Sequence, residues 1–181
     1  MEDRHIIGIK DLIIRKEEEP DMAEVFHVNV TAFKQEDEAK LVDALRLSDA
    51  YVPKLSLVAV YNAEVIGHVM FTKITIENKE NATESLALAP VAVLPEFQNM
   101  KIGQRLINEG LSIAREMGFR SVMVLGDPAY YMRFGFAPAI NWNIKPPFDV
   151  PSENFMALEL QEAALEQVYG LVRYSAPFGI S

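Results

Sequence analysis

The distribution of apolar residues along the chain predicts an alternation of strands and helices. An almost unbroken apolar run from Leu86 to Leu94 predicts a strand that is buried on both faces and that Pro95 ends. After a polar turn, apolar residues recur at spacings of three and four between Ile102 and Met117, which is typical of an amphipathic helix. We expect the rest of the fold to be arranged around this strand, turn and helix.

Shorter patterns predict the remaining elements. Strands are expected at 12–16, 55–61, 65–76, 120–125, 155–160 and 171–174, helices around 22–30 and 37–47, and loops at 77–85 and 137–154, with a short helix or extended turn at 161–168. Asp127 before Pro128 predicts a further helix start, and Gly135 suits a left-handed end to that helix. Because the chain has no internal repeat and no linker, we expect one domain covering residues 1–181.

Composition and charge narrow the class of protein. The chain has 181 residues, 50% of them hydrophobic, and no cysteine, so it has no disulfide and no cysteine metal site. Its apolar runs are too short to span a membrane and its first residues lack the form of a signal peptide, so we expect a soluble, cytoplasmic protein. A net charge of −9 argues against general nucleic-acid binding. That charge favours a cationic substrate such as an amine or a basic peptide, although it speaks mainly to solubility.

The turn between the central strand and its helix predicts an anion site. A loop that leads into a helix exposes unpaired N–H groups at the positive end of the helix dipole, and phosphate is the usual ligand there. Lys101 and Arg105 lie in the first turn, where a cation opposes the dipole unless an anion is bound. The turn also contains Gln98 and Gly103. The sequence therefore predicts a phosphate group at this turn.

The six residues from Gln98 to Gly103, QNMKIG, resemble the Q/R-x-x-G-x-G/A motif of the GCN5-related N-acetyltransferase (GNAT) superfamily. This resemblance implies acetyl-CoA as cosubstrate, with its pyrophosphate held by the backbone amides of the loop. The implied cofactor-binding residues are Val91, Ala92 and Val93 on the strand and Gln98, Met100, Lys101, Ile102, Gly103, Gln104 and Arg105 in the turn and helix. Lys101 departs from the pattern because it stands where the motif has its first glycine. A side chain there restricts φ and can crowd the phosphate, or it can add a charge-assisted contact.

A second resemblance lies in VLGDPAYYMRFGF, which is similar to the GNAT helix that ends in Y-x-K/R-x-G-F. The matching residues are Tyr131, Arg133, Gly135 and Phe136. Together with LAPVAVLPEFQ, this segment is most similar to the YhbS-like acetyltransferases. The resemblance implies an α+β fold with a mixed, mostly antiparallel sheet flanked by helices. In that fold the parallel strands near 86–94 and 121–125 diverge in a V-shaped splay.

The resemblance also implies a reaction in which a primary amine, on a small molecule or a protein, attacks acetyl-CoA directly in a ternary complex. A backbone donor near residues 91–93 would stabilise the oxyanion, and Tyr131 would donate a proton to the leaving thiolate. The alternative for Tyr131 is a core tyrosine with a satisfied hydroxyl. Tyr130, about 100° around the helix, is expected to face elsewhere and pack.

Several questions stay open at this stage. The general base can be His68, Glu84 or water. The simpler interpretation is that His68 packs or forms a hydrogen bond within its strand and that Glu84 is an exposed carboxylate in a turn. His5, His27 and His68 are too scattered to indicate a metal site.

An acyl-CoA-sensing module without catalysis is the alternative function, and a nucleotide-binding regulator ranks last because there is no GK[ST] motif. We expect an amine partner, either a small molecule or a peptide, no nucleic-acid or membrane partner, and a fold that admits a homodimer.

Overall fold

One mixed sheet of nine strands is formed by residues 9–180, the part of the chain that the structure, a computed structural model, describes. The strands are β1 (Ile13–Lys16), β2 (Tyr51–Tyr61), β3 (Glu64–Glu77), β4 (Ala82–Val93), β5 (Ser121–Leu125), β6 (Ala137–Pro138), β7 (Ile144–Lys145), β8 (Phe155–Glu159) and β9 (Gly170–Arg173). The helices are α1 (Met22–Phe33), α2 (Asp37–Arg46), α3 (Ile102–Glu116) and α4 (Pro128–Tyr131). Most neighbouring strands are antiparallel, so the predicted α+β class with a mostly antiparallel sheet is confirmed.

The order β1-β2-β3-β4-β5-β8-β6 runs along the sheet, and β9 pairs with β3 and with β7. The two residues between β2 and β3, Asn62 and Ala63, have φ of 49° and 64°, the left-handed values of a tight hairpin turn. These two strands therefore form a β-hairpin. Among residues 9–180 no helix is long and apolar enough to cross a membrane.

The predicted loop at 77–85 is wrong over most of its length. β3 and β4 stay paired through Thr75–Glu84, Ile76–Thr83 and Glu77–Ala82, and only residues 78–81 form the turn. The end of this hairpin carries polar side chains, which exposed strand positions tolerate. The apolar pattern therefore ends before the strands do, and the prediction made both strands too short. The predicted loop at 137–154 likewise contains the two short strands β6 and β7, whereas 161–168 forms turns.

The feature that positions the site is the short contact between β4 and β5. These parallel strands pair only at Leu86–Val122 and Ala87–Met123. Beyond Ala87, the β5 side of β4 has no strand partner within residues 9–180, although β4 stays paired with β3 as far as Val93. The predicted divergence of these two strands is confirmed.

The two faces of the sheet carry different helices. A Cβ atom on Gly110 of α3 would lie 2.2 Å from the Phe71 ring, so Phe71 of β3 faces α3. His68 of the same strand contacts Asn29 of α1 on the opposite face. His68 and Phe71 are three positions apart, and residues an odd number of positions apart on a strand point to opposite faces. Apolar residues from both sides fill the main core, and a second core around Phe155 includes Ala87 and Met123 of the β4–β5 contact.

Candidate active site

The turn before α3 has the geometry of an anion site. Lys101 precedes the helix in the left-handed conformation, with φ of 63°, and Asn99 has the same φ. The first helical N–H bonded inside α3 is that of Arg105, which donates to the Lys101 carbonyl at 3.0 Å. In the part of the chain that the structure describes, the N–H groups of residues 102–104 have no protein acceptor. These groups therefore remain available at the positive end of the helix.

Gln98 fixes this turn against the end of β4. Its side-chain amide donates to the Val93 carbonyl over 3.1 Å. The contact holds the helix start beside the stretch of β4 that has lost its β5 partner. Gln98 is thus a structural tie between the turn and the strand, as well as a residue that lines the adjoining cavity.

A cavity of about 600 Å³ lies between the turn, the end of β4 and the segment around α4. Its lining consists of Val91, Val93, Phe97, Gln98, Asn99, Lys101, Ile102, Gly103, Gln104, Tyr130, Tyr131 and Arg133. The charged side chains among these are Lys101 and Arg133, both cations, in a chain whose net charge is −9. The local charge therefore suits an anionic ligand although the chain as a whole is acidic.

Gly103 brings backbone without a side chain to the lining of the cavity. A Cβ atom built on it would lie 3.4 Å from the Tyr130 hydroxyl and 3.8 Å from side-chain atoms of Val91 and Val93. The absence of a side chain leaves the N–H groups of the first helical turn accessible to a bulky ligand group. Gly103 therefore fits the role that the motif assigns to it.

The segment after β5 is built as its residues predict. The Asp127 carboxylate accepts the Ala129 N–H at 2.9 Å and begins α4, and Gly135 ends the following turn with φ of 97°. This short element projects two tyrosines. Tyr130 and Tyr131 meet edge to face, with ring centroids 5.0 Å apart and planes at 89°.

Tyr131 is held as a neutral phenol. Burial, with a smaller contribution from the neighbouring Tyr130, raises its pKa to about 12. Its ring packs against Phe136 at 5.8 Å between centroids, with the planes at 79°. A partly buried, neutral phenol beside the parted strands can donate a hydrogen bond to an anion that forms there.

The predicted direction of Tyr130 is wrong. It does not face elsewhere, because it lines the same cavity as Tyr131 and its hydroxyl lies beside Gly103. A rotation of about 100° is little more than a quarter turn, so two large adjacent rings can border one opening. The Arg133 guanidinium stacks over the Tyr130 ring at 4.6 Å and its Nε donates to the Tyr130 carbonyl at 2.9 Å. These contacts fix Tyr130 at the cavity edge.

Seven of the ten predicted cofactor-binding residues line the cavity: Val91, Val93, Gln98, Lys101, Ile102, Gly103 and Gln104. The other three do not. The Ala92 side chain lies on the α1 face because Ala92 pairs with His68, Met100 is exposed, and Arg105 borders a separate groove beside Glu109. Contacts through the backbone of these three residues stay predictions.

Sequence reasoning did not assign Phe97, Asn99, Tyr130 and Arg133 to the cavity, although all four line it. Arg133 had a signal, since it matches the K/R position of the second motif. Phe97 and Asn99 lie inside or beside the first motif, at positions that the motif leaves unspecified. Their placement depends on how the turn folds back over β4.

His68 belongs to a buried polar chain on the other face of the sheet. Its Nδ1 lies 3.3 Å from the Asn29 amide and its Nε2 lies 3.0 Å from the Ser56 hydroxyl. Ser56 donates to Glu17, which pairs with Arg46. Because the Asn29 amide is a donor, Nδ1 is the acceptor and Nε2 carries the proton. Burial, with a smaller contribution from the Arg46 charge, lowers the pKa of His68 to about 3.

Neither candidate base borders the cavity. His68 is fully buried among these polar partners and does not line it. The Glu84 side chain is 58% exposed and lies 4.0 Å from the Lys73 ammonium. Among the residues that the structure describes, no carboxylate and no histidine lines the cavity. Within residues 9–180 no group of three or more histidine or carboxylate side chains is arranged to hold a metal ion.

Residues 22–136 match the model of the Acetyltransferase (GNAT) family, and the chain belongs to that family. Its relatives include two uncharacterised N-acetyltransferases of Escherichia coli K12. YjhQ is 38% identical over 135 residues, which are 74% of this chain and 75% of YjhQ. YhbS is 34% identical over 148 residues, which are 81% of this chain and 86% of YhbS.

Two solved structures are similar over nearly the whole chain. The crystal structure of Escherichia coli YhbS in complex with CoA has a TM-score of 0.86 and 31% identity, and covers 93% of this chain and 92% of that one. A GNAT acetyltransferase from Brucella melitensis in complex with acetyl-CoA has a TM-score of 0.75 and 35% identity, and covers 92% and 97%. The GNAT fold of this chain is thereby confirmed.

Proposed function

We propose that this protein is an acetyl-CoA-dependent N-acetyltransferase that moves the acetyl group to a primary amine by direct attack in a ternary complex. The observation that carries the proposal is the meeting of three features at one cavity. These are the free N–H groups at the start of α3, the end of β4 beyond its pairing with β5, and the partly buried phenol of Tyr131. The CoA and acetyl-CoA complexes of the two similar structures support acetyl-CoA as the cosubstrate.

The phosphates of acetyl-CoA would bind at the start of α3. Gly103 leaves the N–H groups there open, and Lys101 and Arg133 supply positive charge. The acetyl end would reach the parted strands, where backbone N–H groups near residues 91–93 can stabilise an oxyanion. The cavity volume of about 600 Å³ lies within the usual range of about 300–1,000 Å³ for ligand pockets.

The reaction forms a C–N bond and breaks the C–S bond of the thioester. The amine lone pair attacks the acetyl carbon, the tetrahedral intermediate collapses, and the electron pair of the C–S bond leaves with sulfur. The proton of the attacking nitrogen passes to water, because no carboxylate or histidine of residues 9–180 lines the cavity. The amine must therefore arrive as free base or lose its first proton to solvent.

Tyr131 would stabilise the thiolate as its charge develops. Its pKa of about 12 lies above the value of about 8.5 for a free thiol, so complete proton transfer from the phenol to sulfur is uphill. A hydrogen bond from a neutral phenol is still worth most when the sulfur carries most charge, which is the transition state and the product. The thiolate is then protonated from solvent.

Two measurements test this function. CoA at millimolar concentration should raise the melting temperature, because a ligand that binds only the folded state stabilises it. Release of CoA thiol from acetyl-CoA should depend on an added amine. CoA binding without any amine-dependent turnover would instead support the acyl-CoA-sensing module, which the substitution of Lys101 for the motif glycine and the absence of a base in the cavity lining favour. The absence of any melting shift would contradict both functions.

A further inference from the structure

A second cavity borders the same gap between β4 and β5. It has a volume of about 200 Å³ and is lined by Leu88 and Ala89 of β4 and by Val124 and Leu125 of β5. These residues follow directly after the last register pair, Ala87–Met123, which also contributes to its wall. The cavity therefore lies where the two strands part.

The outer wall of this cavity lies on the face of the sheet away from α3. Leu88 pairs with Phe71, which faces α3, so the neighbouring Ala87 points to the other face. Ala87 and Met123 pack there in the second core with Phe148 and Tyr174, and no residue of α3 belongs to that core. The first cavity, which Tyr130 and Tyr131 line, and this second cavity thus approach the open stretch of β4 from opposite faces of the sheet.

The outer wall is aromatic and held in place. The Phe148 ring lies 6.0 Å from the Tyr174 ring and meets the Phe155 ring edge to face at 6.1 Å and 86°. Tyr174 in turn packs against Phe178 at 5.0 Å. Since each ring is fixed by a neighbour, the wall is preformed and does not have to be ordered by a ligand.

The chemistry of the lining is uniform. Among residues 9–180, no residue that lines this cavity carries a charged side chain, and the sole side-chain polar atom of the lining is the Tyr174 hydroxyl. Burial raises the pKa of Tyr174, so the phenol stays neutral. A polyamine or an extended basic peptide would lose solvation of its ammonium groups here without gaining a counter-ion. A hydrocarbon or aromatic group would instead exchange water for apolar contacts.

We propose that this cavity is the acceptor site and that it takes a small primary amine attached to an apolar or aromatic group. The assignment rests on the proposed acetyl transfer, and it narrows the acceptor from any amine or basic peptide to an aralkyl or alkyl amine. The volume limits the size, because about 200 Å³ is below the range of pockets for drug-sized ligands. An uncharged lining also favours the free-base form of the amine, which is the form that attacks.

The experiment measures binding and turnover separately. Phenethylamine, spermidine and a lysine-containing peptide are titrated into the protein–CoA complex by calorimetry, and each is then assayed as acceptor with acetyl-CoA. We expect phenethylamine to bind at least about tenfold more tightly than spermidine or the peptide, since burial of an aromatic ring corresponds to at least that factor. Its kcat/KM should be higher by a similar factor.

Two variants of opposite design localise the site. Phe148→Ala removes the aromatic wall, and Leu125→Trp fills the cavity from a position that is 47% exposed, where the larger ring does not disturb the core. Each should weaken phenethylamine binding at least about tenfold and leave the Kd for CoA within about twofold. Phe33→Ala removes a half-exposed phenylalanine away from the cavity and should change neither constant.

The outcomes separate the site from the function. Phenethylamine binding that both variants weaken, without turnover, would retain the site and contradict the acetyl transfer. Turnover of spermidine or the peptide in preference to phenethylamine would retain the transfer and overturn the site. Phenethylamine binding that neither variant changes, or no measurable binding to the CoA complex, would also overturn it.

Discussion

The backbone of Gly103 lies against the hydroxyl of Tyr130: a Cβ atom on this glycine would be 3.4 Å from that oxygen. This distance is ordinary van der Waals contact, so the free protein has room for one methyl group. A bound phosphate would have to share the same space. Substitution of Gly103 can therefore weaken binding of the ligand without lowering the stability of the free protein.

Gly103→Ala should leave the free protein intact and weaken CoA binding. Alanine in a helix is favoured over glycine by about 0.5–1 kcal/mol, so the melting temperature of the free protein should stay constant or rise. The Kd for CoA should increase by at least about tenfold, because about 1.4 kcal/mol of lost contact corresponds to that factor. Gly103→Val, with a branched side chain, should abolish binding. Unchanged affinity in both variants would show that the phosphates bind elsewhere.

Lys101→Gly tests the lysine that replaces the motif glycine. Lys101 has φ of 63°, a left-handed conformation that costs a non-glycine residue roughly 1–2 kcal/mol. Glycine should therefore retain or increase the stability, while CoA affinity is preserved or modestly reduced by the lost charge. Lys34→Gly is the matched control, since Lys34 has φ of 57° at the end of α1 and does not line the cavity. A loss of CoA binding as large as that of Gly103→Val would mean that the lysine is indispensable.

Tyr131→Phe should lower kcat by about 10²–10³, the range for loss of one preorganised hydrogen-bond donor to a developing anion, while the Kd for CoA stays nearly constant. The phenol assists as charge appears on sulfur, so a thioester with a more acidic thiol should be less sensitive to the change. The measurement is steady-state turnover of acetyl-CoA and of such a thioester with an amine that the wild type accepts.

Tyr130→Phe is the companion variant, and the structure makes it a sharper comparison than an outward-facing tyrosine. Both hydroxyls border one cavity, but that of Tyr130 lies beside Gly103 at the proposed phosphate end. We expect Tyr130→Phe to change CoA affinity more than kcat. The reverse pattern, with kcat lost in Tyr130→Phe and retained in Tyr131→Phe, would assign the hydrogen bond to the thiolate to Tyr130.

His68 should make the stability depend on pH. Its pKa is about 3 in the folded protein and about 6.5 in an unfolded chain, so between these values the unfolded state binds a proton that the folded state excludes. The free energy of unfolding should therefore fall as the pH decreases from 6.5 toward 3, by up to about 1.4 kcal/mol per pH unit. Denaturant titrations of the wild type and of His68→Gln should differ in this slope.

The matched control for that experiment is His27→Gln, which removes an exposed histidine of α1. It should keep the slope of the wild type. Equal slopes in the wild type and in His68→Gln would show that His68 titrates alike in the folded and unfolded states. The buried chain from Asn29 to Arg46 would then not hold it neutral.

The parts of the fold that the sequence predicts are those with local signals. The strand before Pro95, the helix after Lys101 and the Asp127–Pro128 helix start all follow from periodicity or capping within a few residues. The turn residues Asn62 and Gly135 also have local reasons for their left-handed conformations. These features depend little on the rest of the chain.

What the sequence did not predict depends on contacts between distant segments. Asn29 and Ser56 contact His68, and Glu17 contacts Ser56. These three residues come from separate segments of the chain, and none of them carries a local pattern that indicates the others. The direction of Tyr130 was missed for a similar reason, since helical offset alone does not say how wide the cavity is. Burial of polar groups and the shape of a cavity are tertiary properties.

The contact between β4 and β5 is only two register pairs long, so we expect the parts of the sheet on either side of it to open independently. Neighbouring strands with long ladders, such as β3 and β4, share many backbone hydrogen bonds, whereas β4 and β5 are joined at Leu86–Val122 and Ala87–Met123. Amide hydrogen exchange should therefore be fast at the N–H groups of β4 beyond Ala87 that point into the gap and slow in β3, since exchange follows local opening. A ligand that fills the gap should slow that exchange and make the two regions unfold as one cooperative unit.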